Sequence, residues 1–256
     1  MAINAEPMNF EPDRTFRLDV GWAFRLEGSE LLPWSWPEGR PPTFDSLRPV
    51  RKTASSKRNR HIPVRAFTVT NADHLELESG LEHDLVRRLD RNPEVIHLVA
   101  QPLQLSWTRT DVGRRRHVPD LLSLSEDGTV TVWDARSVES QDAKFLDKAE
   151  VTRRSCEQVG WRYEVFTGLK DVERLNLLWL HGFRKTPCWS ESFNESIHKA
   201  ASAEGADLGR LFALDDGSGE LVAFVWHLIW KGQISVDLMA PLTKESPVGL
   251  TGHIHG

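Results

Sequence analysis

"HVPDLLSLSEDGTVTVWDARS", His117 to Ser137, is the stretch on which the reading of this chain turns. Two short alternating apolar runs flank Asp127-Gly128, a favourable turn pair, so the segment predicts a β-hairpin. Side chains alternate along a strand. One face of the second strand therefore carries Val130, Val132, Asp134 and Arg136, and one face of the first carries Asp120 with Leu122 and Leu124. Each face starts apolar and ends in an acid, so the inner part enters a core and the end emerges at a site. A three-residue loop ending on Gly128 sets Asp120 directly across from Asp134. A two-residue loop shifts the register by one and puts them on opposite faces. Two facing carboxylates repel unless a cation sits between them. Hard oxygen ligands without His or Cys suit Mg²⁺ or Mn²⁺ rather than zinc. The ordinary readings stand beside this one: Asp127-Gly128 is plain turn chemistry, and Asp134 with Arg136 makes a common strand-end ion pair.

Outward from the hairpin, "LELESGLEHDLVRRLD" places Leu81, Leu85 and Leu89 on one stripe of a helix. Ser79 is its N-cap and Glu82, three residues on, completes a capping box. This helix also offers a third acid, through Glu78 and Glu82, which lie on the same helix side. "VIHLVAQPLQLSW" reads as strand, Pro break, strand, with Gln101 at the break as a supporting candidate. A helix follows from Asp142 to Val159, closed by Gly160 and carrying Glu150. "RYEVFTG" is a strand, and "DVERLNLLWLHGF" is a helix capped by Asp171. Helix, antiparallel strands, helix, strand and helix predict a mixed α/β domain over residues 46–185. The Pro- and Trp-rich residues 1–45 read as an irregular N-terminal arm. Residues 190–248 read as three helices and a short ribbon, "QISVDLMAPL", the order of a winged-helix-like domain. Residues 249–256 read as a disordered tail.

At 256 residues with 39% hydrophobic content, the chain is long and apolar enough to bury a core. Its formal net charge of −5 excludes a uniformly basic nucleic-acid coat, so any phosphate contact falls to local patches. One such patch is "RPVRKTASSKRNRHIPVR", with Arg51, Lys52, Lys57, Arg58 and Arg60 and no acid among them. Another is the run Arg114, Arg115 and Arg116. Each is either a solvated loop or a phosphate-contacting segment. Cys156 and Cys188 lie far apart and form no disulfide framework or zinc spacing, which suits a reducing cytoplasm. The polar N-terminus is no signal peptide, and the apolar run Leu221–Trp230 is too short to span a bilayer. The expectation is a cytoplasmic, nucleoid-associated protein without a membrane partner.

Taken in order, "ESGLEHDLVRRLDRNPEVIHLVAQPLQLSW", "RRRHVPDLLSLSEDG", "VWDARSVESQD", "CEQVGWRYEVFTG" and "LNLLWLHGFR" resemble the TnsA-type endonuclease subunit of heteromeric cut-and-paste transposases. "VAFVWHLIWKGQISVDLMAPLTKESPV" is similar to that family's C-terminal helical domain. The resemblance spans about residues 46–248. It implies a restriction-endonuclease-like fold with the PD-(D/E)xK plan, in bacteria, followed by the winged-helix-like domain. It further implies a Mg²⁺- or Mn²⁺-dependent cut at transposon-end DNA by metal-activated water, beside a DDE-family transposase and an AAA+ ATPase. The resemblance assigns Glu82, Asp120 and Asp134 as metal ligands. Arg136 stands where the motif has lysine, keeping the charge but unable to accept a proton. That substitution leaves open one alternative, a non-catalytic DNA- and partner-binding subunit; a second is an unrelated stand-alone defence or repair nuclease on the same fold.

Overall fold

The computed structural model describes residues 19–36, 40–51, 64–109 and 113–251. Its first described segment is regular. Strand β1 (Gly21–Leu26) pairs antiparallel with β2 (Leu31–Trp34), with the short β3 (Leu47–Arg48), and with β7 (Leu103–Arg109). The irregular arm expected here is corrected for this part, and the cause is aromatic burial. Trp22 and Phe24 point into the core, where Trp22 meets Trp161 edge-on at 5.7 Å and Trp36 meets Trp161 at 5.3 Å. Edge-to-face contact of large rings adds to the area they bury, so a Pro-rich sequence with weak periodicity still forms a core strand. β8 (Gly113–His117) closes the far edge of this sheet against β7.

A second sheet has the order β11-β10-β9-β6: β6 (Val95–Ala100), β9 (Leu121–Ser125) and β10 (Val130–Ala135) run antiparallel, and β11 (Arg162–Phe166) joins β10 in parallel. Its hairpin takes the three-residue loop. The Ser125 N–H donates to the Thr129 carbonyl at 2.9 Å, the Gly128 N–H donates to Ser125, and Gly128 sits at φ +82°. Glycine adopts that left-handed backbone without a Cβ penalty. One face of the sheet (Val99, Leu122, Val130, Val132) packs on the aromatic cluster and on α2 (Ala143–Gln158) through Val151 and Cys156. The other face (Leu98, Ala100, Leu121, Phe166) packs on Leu85, Val86 and Leu89 of α1 (Gly80–Asp90). The hairpin of β4 (Val64–Thr68) and β5 (Asp73–Leu77) covers the same side.

The helix α3 (Asp171–His181) starts at Lys170, which offers no side-chain cap; Asp171, expected as the cap, lies in the first turn. Its Leu180 belongs to a third core with Ile197 of α4 (Asn194–Ala201) and Leu208 and Leu211 of α5 (Leu208–Phe212). The apolar stripe of α6 (Glu220–Trp230) fills the centre of that core. The ribbon falls elsewhere than expected. β12 (Ile234–Ser235) pairs with β13 (Gly249–Leu250), at the start of the segment read as a disordered tail, and not within "QISVDLMAPL". The described residues thus form a mixed α/β protein of several sheets and six helices.

Candidate active site

The hairpin register is set by Val130↔Leu124 and Val132↔Leu122, and carried onward it brings Asp120 opposite Asp134. The ladder ends one step short, at Trp133↔Leu121. There the Asp120 N–H turns to the Trp133 carbonyl at 2.9 Å, and its Oδ2 accepts from the Ala135 N–H at 2.8 Å. The Asp120 carboxylate therefore caps the place where the two strands part. Gln101 holds the neighbouring strand to it: its N–H donates to the Asp120 carbonyl at 2.9 Å, and its own carbonyl accepts from Val50. Gln101 has φ +41°, its side chain is wholly buried, and its Nε2 and Oε1 have no partner among the described residues. A buried amide without partners and a strained non-glycine backbone mark places where a fold departs from its own rules.

Glu82 reaches the same region from the N-terminus of α1. The capping box forms as expected, with Ser79 Oγ accepting from the Glu82 N–H at 3.1 Å. The Glu82 carboxylate accepts from Ser79 Oγ and from the Glu78 N–H, both at 2.8 Å. Glu78 itself turns outward to Arg51 at 2.6 Å. Asp134 is buried, with its Oδ2 2.8 Å from His117 Nε2 and accepting from the Tyr163 hydroxyl. His117 and Tyr163 were not anticipated. Tyr163 is the single tyrosine of the chain, and the parallel pair Val132↔Tyr163 sets it one strand over from Asp134. Strand alternation past "RRRH" was the signal available for His117.

Three carboxylates in one region have an electrostatic consequence. Burial first, then the charges of Asp134 and Glu82, push Asp120 up to about 8, against the opposing Ala135 N–H and the Arg51 charge. Asp120 is only half-buried by surface, so water reaches this acid. Burial also raises Glu82, partly offset by the Glu78 N–H and the Ser79 hydroxyl. Burial and the adjacent Asp134 push the Tyr163 phenol up and the Cys156 thiol up to about 12. A half-buried carboxyl that changes charge near neutral pH can give or take a proton during a reaction.

Arg136 is not brought to the acids. It is exposed, its Nε donates to the Ser140 carbonyl at 2.9 Å, and its guanidinium lies 5.6 Å from the Phe145 ring centre. Glu150 is also elsewhere, paired with Arg153 and Arg154 along α2. Arg114, Arg115 and Arg116 line the exposed edge strand β8. Lys52, Lys57, Arg58 and Arg60 lie outside the described residues. Among the described residues no three His, Cys, Asp or Glu side chains are grouped as a ready cation site. Both oxygens of Glu82, Oδ2 of Asp134 and Oδ2 of Asp120 already accept from protein donors; Asp120 is the less buried of the two aspartates, which leaves it the best placed of the three acids to take a cation. No helix of the described residues is long and apolar enough to cross a membrane.

A family model described as an acetyltransferase (GNAT) domain matches residues 143–240, less than half of the chain. No curated protein matches. The match corrects the expectation from resemblance: it points to acyl-transfer enzymes and away from a TnsA-type endonuclease subunit, from its non-catalytic variant and from a stand-alone nuclease. The transposase and ATPase partners had been expected on that resemblance alone. The reason for the misreading is physical. The acids, the turn and the helix cap that carried the resemblance are each explained by local structure. Arg136, standing where the motif has lysine, is turned away from them.

Proposed function

We propose that this chain is an enzyme whose reaction centre is the carboxylate cluster at the parting of β9 and β10, and that it catalyses acyl transfer to an amine. The observation that carries the reading is the place of Asp120, half-buried where β9 and β10 part and close to Asp134 and Glu82, where burial and those two charges push its carboxyl up to about 8. An amine attacks an acyl carbon only as the free base, so the reaction needs a group that accepts its proton near neutral pH. Asp120 is that acceptor. Glu82 and Asp134 raise its affinity for the proton, and His117 and Tyr163 hold Asp134 in place. The choice of acyl transfer is supported by the acetyltransferase match, which includes α2 and β11, the elements packed beside β10.

In architecture, the sheet β6-β9-β10-β11 between α1 and α2 still supports a restriction-endonuclease-like layout, and α4 to α6 with the β12–β13 pair a winged-helix-like one. A layout carries no activity with it. A second reading rests on the same crowding of acids: a hard divalent cation at Asp120 could stand in for the proton and relieve the repulsion.

The test is release of free thiol from acetyl-coenzyme A with a panel of amine acceptors, read together with the mass of the acetylated product. The expected rate rises with pH through about 8, following Asp120. Asp120→Asn should lose about 10²-fold or more, the usual contribution of a general base. Thiol release no faster than spontaneous hydrolysis for every amine offered would remove acyl transfer as the function.

A further inference from the structure

The edge of the first sheet and the start of α2 enclose a cleft of about 990 Å³. Arg114, Arg115 and Arg116 line it from β8, and Lys144 and Lys148 from α2. Its one acid, Asp147, is paired with Arg109. None of those five cations makes an ion pair with a described residue, and Lys148 lies 5.9 Å from the Phe145 ring centre. In a chain of net charge −5, five cations lining one cleft from its strand edge and its helix repel one another and concentrate anions there. Alternation along β8 puts Arg115 on the same strand face as His117, opposite Trp107 and Leu105. Two residues along a strand span about 7 Å. A group held by Arg115 thus lies close to His117, which contacts Asp134 of the acid cluster.

The helix starts of the family-matched segment are poor alternatives for an anion. Asp142, Asp207 and Asp215 already accept the first free N–H groups of α2, α5 and α6. The first turn of α3 carries Asp171 and Glu173, and that of α4 carries Glu195. Carboxylates of the chain itself fill or guard the positions that a phosphate would use.

We infer that the β8–α2 cleft binds the phosphate groups of a ligand and directs the remainder of that ligand toward His117 and the acid cluster. The chemistry is that of several linked phosphates: arginine forks grip their oxygens in pairs, and lysines add point charge. A small nucleotide bisphosphate and a nucleic-acid backbone share this chemistry, and the experiment separates them.

Binding is measured on the full-length chain by calorimetry with adenosine 3′,5′-bisphosphate, and by anisotropy with a labelled 20-base-pair duplex, each over a salt series. The site is expected to bind at least one probe, with affinity that falls as salt rises. Arg115→Ala with Lys148→Ala should weaken that binding at least tenfold. Arg153→Ala, on the part of α2 paired with Glu150, should leave it unchanged. Binding of the bisphosphate alone identifies a small ligand; binding of the duplex with a steep salt dependence identifies a polymer. Failure of both probes at low salt overturns the inference, as does equal binding by the doubly substituted chain. Equal melting temperatures of variant and wild type confirm that a lost signal is lost binding. None of these readouts depends on acyl transfer, so the cleft and the proposed activity stand or fall separately.

Discussion

Asp120 is where sequence, fold and chemistry meet most closely. Its folded value of about 8 lies well above the 3.8 of an unfolded aspartate. Between those values the folded chain binds the proton and the unfolded chain does not. Stability from this group is therefore complete below the unfolded value and is lost as pH rises through about 8. Asp120→Asn removes the titration and keeps the shape. The variant should match the wild type below about pH 3.8 and pull ahead of it as pH rises from there toward about 8. At pH 9 it should exceed the wild type by about 1–2 kcal/mol, the cost of a poorly solvated charge beside like charges after solvent screening. That is a gap of roughly 3–6 °C in melting temperature for a chain of this size. A gap that stays constant from pH 5 to pH 9 would show that Asp120 ionises normally. Millimolar Mg²⁺ distinguishes the two occupants. If a cation replaces the proton, it raises the wild-type melting temperature at pH 9 and leaves Asp120→Asn unmoved.

At the scale of single elements, what could be read in the sequence was what local chemistry decides. Ser79 and Glu82 form their capping box because both partners lie within one helical turn. Gly128 selects the three-residue loop because only glycine takes that backbone cheaply, and with the loop comes the register of Asp120 and Asp134. What long-range packing decides was not legible. Nothing near Trp22 and Phe24 announces a strand; their partners, Leu103, Leu105 and Trp161, lie about 80 residues or more further along the chain. His117 and Tyr163 reach Asp134 from two different sheets, so no spacing encodes the contact. Arg136 was assigned by a short motif, and the local turn took its guanidinium to Ser140 instead. Strand β1 is thus a core element and not an arm. Trp22→Ala should cost about 3–5 kcal/mol, as for other buried aromatics cut to alanine. Urea unfolding measures this, and a loss under 1 kcal/mol would return the segment to the surface.

For the whole molecule, the family match and the packing draw different boundaries. The matched segment begins at residue 143, yet β11 within it pairs with β10, which lies before it. The buried face of α2, with Val151 and Cys156, packs against Val99, Leu122 and Val132, which also precede the match. Further on, α3 ties back to α1 through Arg174 and Asp84 at 2.7 Å, and Arg91 of the early chain donates to the Ile229 carbonyl of α6 at 2.9 Å. By contrast the core of α4, α5 and α6 is drawn from residues 180–250, nearly all supplied by the segment itself. A fragment of residues 143–240 should therefore be split in its behaviour. Its C-terminal helices can close their own core, while α2 and β11 lose their partners and expose an apolar face and an unpaired strand. Amide exchange is expected to protect α6 and leave α2 and β11 open, with dye-binding apolar surface that the full chain lacks. Uniform protection across the fragment would make the matched segment a complete domain, and the acid cluster would then lie outside the unit that carries the family's chemistry.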